Sequence, residues 1–378
     1  MTDSTGPHTP AAGSQDSTPT VPLPSVLHVL PHPGGGGETY VDTLGRMDGF
    51  RFERRFIASD PSVRRPTRLL ASMFRVNRDA RAYDLLHVHG EVAALLCLPA
   101  LARRPSLLTL HGLNLLRRST GIRRRLAVLS LRLIVAASDR TICVSEGERD
   151  EVLSAVGASL ASRVVLIRNG VALPDESGAS DTRRDVRAEL GTTESAVVAV
   201  CVGELTPLKD PLTVAAAALA AAREHDLMLC FAGDGPLRGE LESLVAREGG
   251  GSLRVLGQRT DVDRLYAASD VIVIASQREG LPYTVLEGMS WGLAPIVSDV
   301  AGCIDAAGDA AIVVRRGDVA GFAAALERLA VDSGERSARG ARARDRVARL
   351  FRATEMVDRT RLLYDEAGGA ARRGASRR

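Results

Sequence analysis

The chain has 378 residues, 45% of them hydrophobic and 3% aromatic, with a net charge of +3. That supports two domains of roughly 150 residues with aliphatic cores and argues against nucleic-acid binding, where stacking aromatics are the rule; no apolar run reaches the about 18 residues that a bilayer span needs. Charge is unevenly shared: residues 25–172 carry 22 arginines against 13 acidic residues, whereas residues 173–378 carry 27 basic against 31 acidic ones, so the first half faces something anionic.

Residues 1–24 are rich in Pro, Ser, Thr and Gly, lack the basic-then-apolar order of a secretion signal, and read as a disordered leader. A strand over 25–30 (SVLHVL) runs into four glycines, 34–37, ahead of a helix. Without side chains there, backbone N–H groups can approach an anion at a helix start. A flexible turn is the plain alternative, because neither a Walker A lysine nor a full GxGxxG accompanies the glycines. Segment 51–81 holds nine arginines against three acids. Further strands are expected over 85–90, 106–112, 140–146 and 163–170. His87 and His89 alternate along the first of these and share one face; no third ligand lies at telling spacing, so no metal site is assigned. His111 ends its strand and reaches toward a cleft, or else is an ordinary buried histidine. Segment 117–138 adds six arginines and no acid, with Ile122, Leu126, Leu129 and Leu133 in a helical stripe. Such a surface suits an anionic membrane or is simply a solvated arginine face.

A polar, turn-rich linker is expected over 173–190. The pattern then restarts, with strands over 195–205, 227–235, 253–258, 271–276 and 294–299 and helices over 211–223, 237–247 and 321–330. Short apolar runs alternating with amphipathic ones imply an α/β chain: two Rossmann-like parallel-sheet domains, residues 25–172 and 191–352, facing each other across a cleft. Ligands bind beyond the carboxyl ends of such strands. Lys209, just after the strand 195–205, is the only lysine among 49 basic residues. A compact ammonium suits a phosphate where a guanidinium fork does not; a solvated loop lysine is the alternative. In REGLPYTVLEG (278–288), Pro282 suits the first turn of a helix. Glu279 then lies in the loop before it and Glu287 in the second turn, with free N–H groups from Leu281 to Thr284 between them. Two hydroxyl acceptors flanking an anion site match a sugar joined to a nucleoside diphosphate, although two surface glutamates would read the same. The five cysteines (Cys97, Cys143, Cys201, Cys230, Cys303) form no CxxC pair and are expected as buried thiols of a cytoplasmic protein. A last helix, 353–367, is expected to pack back on the first domain, ahead of a loose tail, 368–378.

Taken together, GGGGETYV, YDLLHVHG, LTLHG, DRTICVSEGERD, IRNGV, VGELTPLKD, FAGDGPLRGEL and, most strongly, EGLPYTVLEGMSWGLAPIVSD (279–299), in this order along residues 25–365, resemble the retaining glycosyltransferases of family 4, which have the GT-B fold. The resemblance implies transfer of a sugar from a nucleoside diphosphate, UDP or GDP ahead of ADP, to an acceptor hydroxyl with retention and without a required cofactor. It implies that Glu279 binds donor-sugar hydroxyls, Glu287 the ribose, and Lys209 the diphosphate. Amides at the helix start around Pro282, those of Gly280, Leu281, Tyr283 and Thr284, would help Lys209, as would those of Gly35 and Gly36. His111 would sit against the donor sugar, and residues around Gly257 would line the base pocket. Two departures stand out. Glu204 occupies a position where the family often has a second phosphate cation, a role Arg259 could take over. The usual Gly-Gly-x-x-Glu loop appears as AGCID (301–305). The acceptor is expected to be a glycan, a lipid-linked glycan or a small molecule, with segments 51–81 and 117–138 on the inner face of the membrane. The alternatives are a catalytically weak nucleotide-sugar binder and a nucleotide-sugar epimerase of the same fold.

Overall fold

The computed structural model of the chain describes residues 23–58 and 66–375. The leader up to residue 22, positions 59–65 of the arginine-rich segment and tail residues 376–378 lie outside the described residues. Strands β1 (Ser25–Leu30), β2 (Arg51–Phe56), β3 (Leu85–His89), β4 (Ser106–Thr109), β5 (Arg140–Cys143) and β6 (Val164–Leu166) form one sheet in the order β2-β1-β3-β4-β5-β6. Strands β7 (Val197–Val202), β8 (Leu227–Ala232), β9 (Leu253–Val255), β10 (Val271–Ile274), β11 (Ala294–Ser298) and β12 (Ile312–Val314) form the second, in the order β12-β11-β10-β7-β8-β9. The pairings are parallel throughout. Central strands such as SVLHVL and LMLCFA are buried along their whole length, as parallel strands covered on both faces must be.

Two strands escaped the sequence reading. RFERRF is β2, an edge strand with partly exposed charged positions, which is how a sheet protects an edge from further pairing. Ile312–Val314, three residues long, is the other edge. Each sheet reverses its strand order once, between β1 and β3 in the first and between β7 and β10 in the second. A crevice opens above such a reversal. The glycine loop follows β1, while the loops carrying Lys209 and Glu279 follow β7 and β10.

The 173–190 segment is not a bare linker. Residues Ala179–Leu190 form a helix whose buried face includes Arg187. That guanidinium donates to Asp270 Oδ2 at 2.7 Å and to the Ala268 carbonyl at 3.0 Å, which ties the helix to the second domain. Val171 exchanges backbone hydrogen bonds with Phe351 and Ala353 (2.8 and 3.0 Å), so both passages between domains run side by side. The helix Ala353–Ala375 then lies on the first domain, where the Tyr364 hydroxyl is 2.8 Å from His87 Nδ1. It continues through most of the stretch read as a loose tail from Gly368. All five cysteines are buried and none is in a disulfide.

Candidate functional site

The second domain brings its charged residues together at the reversal point. Gln277 locks the two loops to each other: its N–H donates to the Leu208 carbonyl and its Nε2 to Asp210 Oδ2, both at 2.8 Å. Lys209 Nζ is thereby placed 2.6 Å from Glu279 Oε1, and the Glu279 side chain is only 11% exposed. Burial opposes the ammonium charge, but the Glu279 carboxylate more than offsets it and raises the Lys209 pKa, so Lys209 stays a cation near neutral pH.

Pro282 is the cap of the following helix, Tyr283–Ser290, with extended backbone (φ −72°, ψ 121°), rather than a residue of its first turn. Glu287 keeps its place in the second turn, where burial raises its pKa while the Tyr266 hydroxyl donates to it at 3.1 Å. Leu281 is buried and its carbonyl accepts from Asn169 Nδ2 of the first domain at 2.8 Å. Tyr283 is also buried, its ring facing Gly36 and its hydroxyl 3.7 Å from Met356 Sδ. Its side chain thus seals the seam between domains, while Thr284 is partly exposed. AGCID lies in a helix, Ala301–Ala307, not a loop. A side chain at Gly302 would collide with the Gly280 and Glu279 carbonyls, so this glycine lets the helix brace the Glu279 backbone. Asp305 accepts from the Gly147 N–H across the domains at 2.9 Å.

Of the remaining predicted donor residues, Glu204 is exposed on the Lys209 loop. Arg259 closes both arms of its guanidinium on Asp261 (2.9 and 2.6 Å), so it is an occupied cation. Gly257 is buried beneath the Arg238 guanidinium. Sequence reasoning passed over Arg278, half-buried beside Glu279 and without an acidic partner among the described residues; burial and nearby Arg118 lower its pKa.

The first domain supplies the opposite wall. Gly35 caps the helix Gly36–Leu44 with φ 74°, and the Gly34 N–H donates to Glu38 Oε2 at 2.6 Å. His111 follows β4 with φ 56°, a left-handed backbone that few non-glycine residues adopt. Two buried carboxylates hold that turn from below. Glu148 accepts from the N–H groups of Gly112 and Val144, and Glu91 accepts from Leu115 N–H at 2.8 Å. Burial lifts Glu148 to about 7 despite those donors. Only the family motif SEGERD had marked Glu148, without a role. The walls touch: a Cβ at Gly280 would stand 2.9 Å from the Gly112 nitrogen and the His111 carbonyl carbon. Arg117 Nη1 donates to the Glu279 carbonyl at 3.0 Å across the same seam.

His87 and His89 do have a third histidine beside them. His28, on the neighbouring strand β1, brings the ligand atoms of all three within 4.8 Å of one another. Their nitrogens are already engaged in hydrogen bonds with one another and with Tyr364, Thr109 and His111, a satisfied buried cluster rather than a set of free ligands.

Residues 27–173 match the family model described as Glycosyltransferase Family 4, and residues 196–332 the model described as Glycosyl transferases group 1. The chain is 31% identical over 276 residues to the alpha-maltose-1-phosphate synthase of Mycolicibacterium smegmatis, spanning 66% of this chain and 69% of that protein. It is 28% identical over 313 residues, 78% of each chain, to the UDP-Gal:alpha-D-GlcNAc-diphosphoundecaprenol alpha-1,3-galactosyltransferase of Escherichia coli. In fold it is similar to HepE of Anabaena in complex with UDP-glucose (TM-score 0.74, 17% identity, 90% of this chain and 99% of that one). A similar likeness holds for the sucrose-phosphate synthase of Thermosynechococcus elongatus (TM-score 0.73, 19% identity, 92% and 100%). Two facing parallel-sheet domains, both family models and these relatives agree: the chain belongs to the group 1, family 4 glycosyltransferases of GT-B fold.

Proposed function

We propose that the chain transfers a sugar from a nucleoside diphosphate to an acceptor hydroxyl with retention of configuration, and that the acceptor is presented at an anionic membrane surface. The observation that carries the reading is the Lys209–Glu279 pair at the sheet reversal, facing His111 across a seam where the two backbones touch. In this reading Lys209 moves its charge from Glu279 to the diphosphate, freeing the carboxylate to accept donor-sugar hydroxyls. Glu287 accepts from the ribose hydroxyls. As the sugar–phosphate bond breaks, negative charge builds on the leaving phosphate. Lys209 and the amides at the start of Tyr283–Ser290 stabilise that charge, the kind of preorganised electrostatics that usually dominates catalysis. The leaving phosphate oxygen takes the acceptor's proton, and attack comes on the face it vacates. With Glu204 at a position expected to be cationic and Arg259 held by Asp261, Arg278 is the second cation we assign to the phosphates. No metal or other cofactor has a role in this scheme. HepE is described with UDP and UDP-glucose, and the Escherichia coli relative is named for UDP-Gal, which supports a UDP sugar ahead of GDP or ADP sugars.

The acceptor side rests on the helix Gly121–Ala137. Its core face is supplied by Ala127, Leu131, Ile134 and Val135. The second stripe is left in solvent, with Ile122 68%, Leu126 59%, Leu129 53% and Leu133 48% exposed. Exposed arginines 123, 124, 125 and 132 share the helix, and Phe74 stands 70% exposed in the other arginine-rich segment. Apolar residues amid arginines fit an anionic lipid surface. No described helix is long and apolar enough to cross a membrane, so the reading is of peripheral attachment on the cytoplasmic side. The Escherichia coli relative is named for a diphosphoundecaprenol acceptor.

The test has a donor arm and an acceptor arm. UDP, GDP and ADP sugars are screened by thermal shift, then by transfer to a polyprenyl-diphosphate sugar in anionic vesicles and to soluble glycans. Wild type should turn over a UDP sugar faster with the vesicles. Lys209→Ala should abolish turnover, and a Leu126→Glu/Leu129→Glu variant should lose only the vesicle advantage. Donor binding without turnover would instead favour a nucleotide-sugar binder, and product without acceptor an epimerase. No shift with any nucleotide sugar would defeat the reading altogether.

A further inference from the structure

His111 is the end of a row. Its Nε2 lies 3.0 Å from His89 Nδ1, and His89 Nε2 lies 2.9 Å from His28 Nδ1. His28 Nε2 is 3.5 Å from the Tyr364 hydroxyl, which is 2.8 Å from His87 Nδ1, and His87 Nε2 ends the row 2.8 Å from Thr109 Oγ1. The side chains of His28, His87 and His89 are shut off from solvent. The rings are held in place: Tyr40 stands edge-on to His111 at 4.9 Å, and His89 stacks on His87 at 4.3 Å.

A neutral imidazole has one donor nitrogen and one acceptor nitrogen. Burial lowers His28 to about 3 and His111 to about 4, and puts His87 and His89 well below their ordinary value, so all four are neutral near pH 7. In a row of neutral rings each must give at one end and take at the other, so every proton points the same way. Reversing His111 alone would set two N–H groups, or two lone pairs, face to face with His89 in a site without water to relieve them. Such unsatisfied buried polar groups are strongly disfavoured. The row therefore ties what the remaining nitrogen of His111, Nδ1, presents to its whole length: exchanging a proton there for a lone pair requires His89 and His28 to reverse with it, against hydroxyls of Tyr364 and Thr109 that must turn as well.

We propose that His89 and His28 are positioning residues that lock His111 in a single neutral tautomer, so that Nδ1 meets the donor sugar with fixed hydrogen-bonding character. The proposal rests on the transferase reading, in which His111 lies beside that sugar. No bond is made or broken along the row, and no proton moves along it during turnover. A lone histidine at the cleft would divide its binding between two tautomers, only one of which complements the transition state. The row removes the wrong one in advance.

The experiment is long-range 1H–15N spectroscopy of the full chain labelled in histidine, with steady-state kinetics alongside. Wild type should show His111 as one neutral tautomer, unchanged between pH 6.5 and pH 8. His89→Phe keeps a ring but no nitrogen. It should give His111 averaged nitrogen shifts and lower kcat by roughly 10-fold to 100-fold, with donor KM changed by less than about 3-fold, as loss of an orienting partner typically does. His89→Gln, whose amide can give and take, should restore part of both signals. His28→Gln acts one ring further back and serves if His89→Phe does not fold; its effect should have the same direction and be smaller. A tautomer mixture at His111 in wild type overturns the proposal, as does a folded His89→Phe with unchanged shifts and kcat. If wild type turns over no nucleotide sugar, the transferase reading fails, yet the wild-type spectrum still decides whether the row locks His111.

Discussion

The two walls of the cleft handle charge in opposite ways. The second-domain wall keeps charged groups in its crevice: Lys209 and Glu279 neutralise each other at 2.6 Å, and Glu287 stands in the second turn of the helix that follows. The first-domain wall has had its charge removed. Burial holds His28, His87, His89 and His111 neutral, and Glu148 beneath them is pushed up to about 7. A mobile, highly charged diphosphate is best met by groups that can exchange an internal partner for the ligand. A reacting sugar, which carries no formal charge at the start, is better met by fixed dipoles, because these need not reorganise as the transition state forms. The contrast predicts that damage to the two walls will look different.

Among variants that keep some turnover, the largest effect should come from Glu279→Gln, with kcat falling by about 10²–10³-fold, the scale of losing one preorganised transition-state contact. Glu287→Gln should instead raise donor KM by about 10-fold and leave kcat within about 3-fold, the pattern of lost uniform binding. Both would be measured in one transfer assay with UDP as a competing ligand. Equal and small effects would make the pair two ordinary glutamates and remove the charged wall from the comparison.

A smaller effect should follow from wedging the walls apart. In Gly280→Ala the new methyl would stand 2.9 Å from the Gly112 nitrogen and the His111 carbonyl carbon. These are backbone atoms that cannot swing away, so the seam must open or the fold must absorb an overpacking cost of about 1–3 kcal/mol. Turnover should drop by about 10-fold, equivalent to 1.4 kcal/mol, while far-UV circular dichroism stays unchanged. Scattering from the variant should show a larger radius of gyration. Wild-type turnover with a wild-type radius would mean that the walls need not touch for chemistry.

The same contrast explains what could be read in advance. The charged wall is local: Glu279, Pro282 and Glu287 fall within nine residues, and their spacing already implied a loop followed by a helix. Lys209 stood out as the only lysine. The neutral wall is assembled from afar, with His28 61 positions from its partner His89 and Tyr364 277 positions from His87. Periodicity put His87 and His89 on one face and His111 at a strand end, but it could not supply what stood opposite them. The fold shows the same division. Buried central strands were visible as apolar runs, whereas β2 was hidden because RFERRF carries an edge strand's charges. The helix Ala179–Leu190 was hidden because a buried arginine, satisfied by Asp270, breaks its apolar period.

The smallest effect expected is on stability against pH, and its sign separates the contributions within the neutral wall. The buried histidines have folded pKa values below the unfolded value of about 6.5. Unfolding therefore takes up protons below that pH, so their contribution is full above pH 6.5 and drains away as pH falls toward 4. Glu148 acts in the opposite sense. Its folded pKa of about 7 lies above the unfolded value, so its contribution is full below about pH 4.5 and is lost as pH rises through 7. With four histidines set against one strongly raised carboxylate, the melting temperature should fall as pH is lowered from 7 to 5, with Glu148 blunting the slope. Glu148→Gln should lower the melting temperature at every pH, because Gly112 and Val144 donate to different carboxylate oxygens and the amide replaces one of these with an NH2 that faces a backbone N–H. It should also steepen the fall between pH 7 and pH 5. A flat wild-type profile that Glu148→Gln leaves flat would mean that the histidines are not held neutral, and the row ending at His111 would lose its one-way sense.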